Sequence, residues 1–296
     1  MIFLLALVGV LGVSASGPLV AATPSVGPLA MAFWRNGLGA AAMGSAVAVN
    51  GRSRMGWPSR DEWRYCIVAS LALALHFACF MTSVRMTTVA AATALVCLQS
   101  AWIAAYQRLR GAALGSRVLG GMGVAFGGVV VITGFDVGRS AEALLGDVLA
   151  LAGGALAGAY TLAGSKARTT MDTRNYTAVC YALTAGFLLV LAWIVGEAVW
   201  GFPPEGWMGI IALTIASQLL GHTIFNHLVV ALGPLLVSMI ILLEIPGAAL
   251  LAGLFLGQTP PVWTYLGLAL ILAGLLAVVS GQGRAWKRTS GQRKGR

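Results

Sequence analysis

Long apolar runs, each of about 20 residues, follow one another along most of this chain. A helix of that length crosses the hydrocarbon core of a bilayer, so the runs predict membrane-spanning helices. The composition agrees, because 58% of the residues are hydrophobic, 9% are charged and the mean hydropathy is +0.87. Continuous apolarity favours helices over alternating membrane strands, and the expected fold class is an all-α polytopic membrane protein with ten transmembrane helices. The predicted spans are 1–21, 28–49, 63–84, 87–107, 117–135, 146–164, 176–199, 207–228, 233–256 and 262–280.

The basic residues cluster on one side of the predicted membrane. The formal net charge is +10, from 19 Lys and Arg against 9 Asp and Glu. If the first span starts in the cytoplasm, most of these cations lie in the loops after helices two, four and six and in a basic tail, 281–296. The positive-inside rule then predicts cytoplasmic termini, and the tail is expected to favour anionic membrane lipid. No basic or aromatic nucleic-acid-binding pattern accompanies the charge, so nucleic acid is not an expected partner.

The chain repeats itself weakly at an offset of 146 residues. At that offset Gly121 falls on Gly267, Gly128 on Gly274, and, most tellingly among only three histidines, His76 on His222. Gly12 with Gly158 and Gly111 with Gly257 share the register. Because five helices per copy is an odd number, the copies would cross the membrane in opposite directions, an arrangement typical of alternating access. The predicted units are 1–135, a periplasmic connector 136–145, 146–280 and the tail 281–296.

The ends of the two halves resemble a known transporter family. "LEIPGAALLAGLFLGQ" followed by "VWTYLGLALILAGLLAVV", and "FWRNGLGAA" in the second helix, resemble the EamA-type exporters of the drug/metabolite transporter superfamily. The resemblance implies two inverted five-helix halves around a central cavity lined by helices one to four and six to nine. It also implies export of small metabolites, with the amino-acid exporter branch as the nearest type, and a bacterial inner-membrane location. The family often has Glu after the loop glycine, whereas in this chain Gln258 follows Gly257 and Ala112 follows Gly111.

Polar and aromatic side chains within the apolar runs predict the lining of a wet pocket. In "QLLGHTIFNH", Gln218, His222 and Asn226 recur every four residues and so share one helical face. A polar group facing hydrocarbon is costly, so such residues are expected to face a cavity or the bundle interior. A hydrogen-bonded packing role for each histidine is the alternative. The predicted substrate-binding residues are Trp34, His76, Gln99, Trp102, Tyr160, Gln218, His222 and Asn226.

Two charged residues within predicted spans have a coupling role or a structural role. Arg35 lies about a third of the way into helix two, and Glu244 is the sole acid near the middle of a predicted span, since Asp147 and Glu197 lie at span ends. An ionised carboxyl at that depth costs several kcal/mol by order of magnitude, so Glu244 either pairs with Arg35 or a histidine, or is neutral. A neutral carboxyl could carry a proton during transport. Pro246 removes a backbone hydrogen bond and is a candidate hinge.

The sequence favours transport over catalysis. No nucleotide-binding, zinc-protease or nucleophile-elbow motif is present, the four cysteines show no CxxC spacing, and no metal or cofactor is expected. The mixed aromatic and neutral lining favours export of neutral or aromatic amino acids. Efflux of lipophilic drugs, exchange of sugar phosphates or nucleotide sugars, and a membrane-embedded enzyme using His76, His222 and Glu244 are the alternatives. The sequence does not specify an oligomeric state, and a monomer is one of the states it allows.

Overall fold

The computed structural model describes residues 1–49, 58–134, 140–258 and 262–294, and the described chain consists of helices joined by short turns. Seven helical segments of this part are long and apolar enough to cross a membrane, which supports a polytopic membrane protein. A further helix, Pro28–Val49, has the length but is less apolar, because it contains Arg35 and Asn36. The seven segments are Ile2–Ala22, Arg60–Met86, Val89–Leu109, Ala141–Ala167, Thr173–Val195, Pro204–Leu232 and Pro234–Leu256.

The helices are numbered in chain order. The first seven are α1 (Ile2–Ser14), α2 (Ser16–Ala22), α3 (Pro28–Val49), α4 (Arg60–Met86), α5 (Val89–Val96), α6 (Gln99–Leu109) and α7 (Ser116–Gly134). The next are α8 (Ala141–Ala167), α9 (Thr173–Val195) and α10 (Pro204–Leu213), followed by a π-helix (Thr214–His222). The last are α11 (Thr223–Leu232), α12 (Pro234–Ile241), α13 (Glu244–Leu256) and α14 (Val262–Lys294).

Four predicted spans are not the uninterrupted α-helices that the apolar runs suggest. The first breaks at Ala15, the fourth at Cys97 and Leu98, and the ninth at Leu242 and Leu243, whereas the eighth contains the π-helix. Proline explains two breaks, because its ring clashes with the carbonyl four residues earlier. That carbonyl belongs to Ser14 for Pro18 and to Leu242 for Pro246. Pro246 itself lies in the first turn of α13, where a missing amide hydrogen costs little.

Two predicted boundaries also differ from the structure. α8 begins at Ala141, so residues 141–145 of the predicted connector are helical, and the connector residues 136–139 lie outside the described residues. α14 continues to Lys294, through most of the segment predicted as a separate tail, of which residues 295 and 296 lie outside the description. Ser140 caps α8 by accepting a hydrogen bond from the Ala143 amide, which explains the early start.

Packing between distant helices encloses a central region. α4 lies along α8, α3 along α9, α7 along α14, and α1 along the π-helix, while α5 contacts α13. The capping box of Ser59 and Glu62 fixes the start of α4, and the Glu62 carboxylate also accepts a 2.7 Å hydrogen bond from Thr170 after α8. This contact joins the first and second halves of the chain at one end of the bundle.

Close glycine contacts join α7 and α14. A Cβ atom built at Gly121 would lie 2.7 Å from the Gly274 carbonyl oxygen, and one at Gly128 would lie 2.5 Å from that of Gly267. On the same helix, Gly123 and Gly127 meet no atom within 4 Å of a built Cβ. Gly154 in α8 packs closely against the Val96 carbonyl oxygen, at 2.8 Å from a built Cβ.

Substitution Gly128→Leu is expected to destabilise the protein by about 2 kcal/mol, because the added side chain overpacks the contact with α14. The thermal unfolding midpoint of the purified protein in detergent measures this loss. The matched control is Gly123→Leu on the same helix, which meets no atom within 4 Å of its Cβ and should leave the midpoint nearly unchanged. Equal midpoints for both variants would contradict the packing described.

Candidate functional site

A polar cavity of about 50 Å³ lies in the middle of the bundle. Its polar lining comes from α2, α4, α6, α8, the π-helix, α11 and α13, which shows how many helices converge here. The polar and ionisable residues of the lining are Ser16, His76, Gln99, Tyr160, Thr161, His222, Asn226 and Glu244.

The two histidines of the repeat face each other across this cavity. The ring centroids of His76 and His222 are 6.4 Å apart, and Phe77 lies edge-on to His222 at 5.2 Å. His76 Nδ1 lies 2.9 Å from the Gly153 carbonyl oxygen. Because a carbonyl only accepts, Nδ1 carries the hydrogen, and Nε2 of the neutral ring is left as an acceptor. The structure therefore brings together residues that are 146 positions apart in the chain.

A hydroxyl and amide cluster lies beside the histidines. The Tyr160 hydroxyl is 2.9 Å from Asn226 Oδ1 and 2.6 Å from Asn226 Nδ2, so it can donate to the first and accept from the second. Asn226 Nδ2 also lies 3.4 Å from the Tyr181 hydroxyl, which is itself 3.1 Å from Thr223 Oγ1. These contacts connect α8, α9 and α11 through neutral polar groups.

Substitution Tyr160→Phe is expected to destabilise the protein by about 1–3 kcal/mol, because the buried Asn226 amide loses its nearest partner. The lowering of the thermal unfolding midpoint in detergent measures this loss. Tyr265→Phe, which removes the hydroxyl of a tyrosine that is 60% exposed, is the matched control. A Tyr160→Phe midpoint no lower than that of the control would show that the hydroxyl contributes nothing.

Arg35 is held in a buried polar network behind the cavity wall. Its Nε donates to Gln218 Oε1 at 2.8 Å, its Nη1 donates to Ser16 Oγ at 3.3 Å, and its guanidinium carbon lies 4.2 Å from the centre of the Phe77 ring. Gln218 in turn donates from Nε2 to Asn36 Oδ1 at 3.0 Å. Arg35 Nη2 has no hydrogen-bond partner among the described residues. The network joins α2, α3 and the π-helix.

Glu244 and Gln99 occupy equivalent places at two helix breaks. Glu244 is the first residue of α13 and Gln99 is the first of α6, and both side chains line the cavity. The partial positive charge of a helix N-terminus favours an anionic or hydrogen-bond-accepting group at such a position. Glu244 is the acidic residue of the cavity lining, and the residue is 7% exposed.

The structure places three predicted binding residues outside the lining. Gln218 lies behind the wall, in the Arg35 network. Trp34 donates from Nε1 to the Val199 carbonyl oxygen at 2.7 Å and packs edge-on against Trp200. Trp102 is 50% exposed. Five predicted binding residues do line the cavity, namely His76, Gln99, Tyr160, His222 and Asn226.

Sequence reasoning missed several residues that shape the site. Phe77 and Phe80, one and four positions after His76, line the cavity, and Phe80 stacks on His76 with ring centroids 6.0 Å apart. Their positions beside His76 are a usable signal, since residues four apart share a helical face. Asn36, which binds Gln218, directly follows Arg35 in the sequence. No cluster of three or more His, Cys, Asp or Glu side chains suited to a metal ion occurs among the described residues.

Comparison with known proteins agrees with this architecture. Residues 144–280 match the EamA-like transporter family. A protein of Archaeoglobus fulgidus described as an uncharacterized transporter is 26% identical over 261 residues, which are 86% of this chain and 84% of that relative. A protein of known crystal structure has the same fold, with a TM-score of 0.71 and 20% identity over 93% of this chain and 94% of the other. Together with the apolar helices, the EamA-like match supports an integral membrane transporter.

Proposed function

We propose that the chain exports small neutral metabolites, neutral or aromatic amino acids in particular, by alternating access to the central cavity. The observation that carries the proposal is the cavity lining, which combines neutral hydrogen-bonding groups, aromatic rings and one carboxyl group. Amide and hydroxyl groups suit the polar ends of a zwitterion, and the rings of Phe77, Phe80 and Phe225 suit an apolar side chain. A highly anionic sugar phosphate would need several cationic groups, and no Lys or Arg of the described residues lines this cavity.

Two sets of contacts support an inverted repeat of two five-helix halves, with ten membrane crossings. The offset of 146 aligns Gly121 with Gly267 and Gly128 with Gly274. Gly121 contacts Gly274, and Gly128 contacts Gly267, so the two contacts exchange when the halves are exchanged. It also pairs His76 with His222, whose rings are neighbours. Contacts that exchange in this way are expected of two halves related by a twofold axis in the membrane plane.

The interrupted helices that border the cavity support alternating access. The breaks within the fourth and ninth predicted spans reach the cavity at Gln99 and Glu244, and interrupted helices of this kind border the binding site in many transporters. Pro246 remains a candidate hinge for such a movement.

The positions of the basic residues support an orientation with both termini in the cytoplasm. Arg64 near the start of α4, Arg110 after α6 and Lys166 at the end of α8 meet at one end of the bundle. By the positive-inside rule this end faces the cytoplasm of a bacterial inner membrane. Export then runs from this end to the opposite end, where the chain passes from α2 to α3.

A counterflow panel in proteoliposomes tests the proposed substrate class. Vesicles that contain the purified protein and unlabelled solute take up labelled phenylalanine, leucine, a lipophilic cationic dye or a sugar phosphate. We expect counterflow of the two amino acids above that of protein-free vesicles. Counterflow of the dye alone would replace the proposal with drug efflux. Chemical conversion of a solute without its movement would replace it with a membrane-embedded enzyme.

A further inference from the structure

A second, larger cleft of about 900 Å³ opens at the end of the bundle where α4 starts and α6 and α8 end. Its rim has three cationic side chains from three helical segments, Arg64, Arg110 and Lys166, and all three are exposed. No Asp or Glu of the described residues lines the cleft. The nearby acid Glu62 is engaged with the Ser59 amide and the Thr170 hydroxyl. The lining of the cleft therefore carries three cations and no acid among the described residues, and Glu62 lies outside this lining.

The lining of the cleft becomes less polar on each helix with distance from the end of the bundle. Val68 lies one turn beyond Arg64 in α4, Leu162 one turn before Lys166 in α8, and Tyr106 one turn before Arg110 at the end of α6. Residues four apart lie on one face about 5–6 Å from each other, so each cation stands at the end of its helix above a less polar group. Val229 and Val230 of α11 extend the apolar floor.

We propose that this cleft binds an anionic phospholipid, with its phosphate between Arg64, Arg110 and Lys166 and an acyl chain on the apolar floor. The three cations lie at the ends of helices of membrane length, which is the level of lipid headgroups. Tyr65 and Tyr106 of the lining are amphipathic rings of the kind that occupy this level. Cations with no acid in the cleft fit an anionic headgroup, and the apolar floor fits an acyl chain better than a soluble anion. The proposal is independent of the solute that the central cavity takes.

Native mass spectrometry of the full chain in detergent, titrated with phosphatidylglycerol or with phosphatidylcholine of the same acyl chains, tests the proposal. We expect phosphatidylglycerol to bind at least about tenfold more tightly, since each basic residue contributes to the attraction for an anionic surface. The triple variant Arg64→Gln, Arg110→Gln and Lys166→Gln should lose this preference. The single variant Lys166→Arg, which retains the charge, should keep it.

The matched control removes three exposed cations outside the cleft lining, by Arg60→Gln, Arg108→Gln and Arg117→Gln. It should change the affinity for phosphatidylglycerol less than about twofold, because exposed charges away from the cleft are screened by salt. The control therefore separates the effect of the cleft from that of the net charge. Equal losses in both triple variants would overturn the proposal. Displacement of the lipid by soluble glycerol phosphate at millimolar concentration would also overturn it, because the cleft would then be a site for soluble anions.

Discussion

Substitution Arg35→Lys is expected to lower the initial rate of amino-acid exchange in proteoliposomes by at least about tenfold, because lysine cannot reproduce the geometry of the guanidinium. Arg35 is fully buried and uses two different nitrogens, Nε for Gln218 and Nη1 for Ser16. Its planar group also lies over the Phe77 ring. An ammonium keeps the positive charge but presents it from one point, so at least one of these contacts is lost.

The expected loss is large because the network supports the cavity wall. Ser16 and Phe77 line the cavity and contact Arg35 directly, and Gln218 lies four residues before His222. A buried polar partner left without its hydrogen bond costs about 1–3 kcal/mol, and a displacement of the wall acts on every solute that enters. Arg117→Lys, at an exposed arginine, is the matched control and should retain the wild-type rate. A wild-type rate for Arg35→Lys would show that its charge alone is sufficient.

Substitution Glu244→Gln is expected to abolish the response of transport to a pH gradient while leaving counterflow at equal pH. Glu244 is the acid of the cavity lining, and burial of an ionised carboxyl within a membrane span is costly. Protonation of Glu244 on one side removes this cost while the transporter without amino acid changes conformation. The proton is then released on the other side. For export with proton entry, acid outside should accelerate the efflux of loaded amino acid, and glutamine cannot carry this proton.

Glu205→Gln is the matched control for this prediction, because Glu205 is exposed near the start of α10, away from the cavity lining. Efflux is measured from loaded proteoliposomes with the outside at about pH 6 or at the internal pH of about 7. The control should respond to the gradient like the wild type. An equal response in Glu244→Gln would remove this residue from proton coupling.

The apolar runs were sufficient to locate the membrane-length segments, because hydrocarbon tolerates few polar residues over the length of a crossing. They could not predict every interruption. Pro18 and Pro246 carry a local signal for breaks at Ala15 and at Leu242 and Leu243, but the break at Cys97 and Leu98 has no proline to announce it. The π-helix that ends at His222 has no clear local signal either, since its sequence also fits an α-helix.

Helix phase explains which site residues the sequence located and which it misplaced. His76 and His222 were predicted together because the offset of 146 residues aligns them. Their rings are neighbours in the structure. Trp102 lies in the same helix as Gln99, α6, but it is 50% exposed, so membership of a lining helix did not place it in the cavity. Trp34 and Arg35 were both predicted near the site, although neighbours on a helix point about 100° apart.

Side-chain partners across the bundle were beyond the sequence. The prediction for Glu244 considered Arg35 or a histidine as its partner, whereas Arg35 donates its hydrogen bonds to Gln218 and Ser16. Gln218 was predicted to line the pocket with His222 and Asn226, but Asn36 and Arg35 engage its amide behind the wall. Such choices depend on distances between helices that one sequence does not contain, because each polar group has several partners of suitable chemistry.

The most direct test of the central claim is counterflow of labelled phenylalanine in proteoliposomes, with chromatography of the recovered label. The wild-type protein should concentrate unmodified phenylalanine inside the vesicles, and Arg35→Lys in equally folded protein should reduce this accumulation by at least about tenfold. Absence of accumulation by the wild-type protein, or accumulation that Arg35→Lys leaves unchanged, would contradict the assignment of the central cavity as an amino-acid transport site.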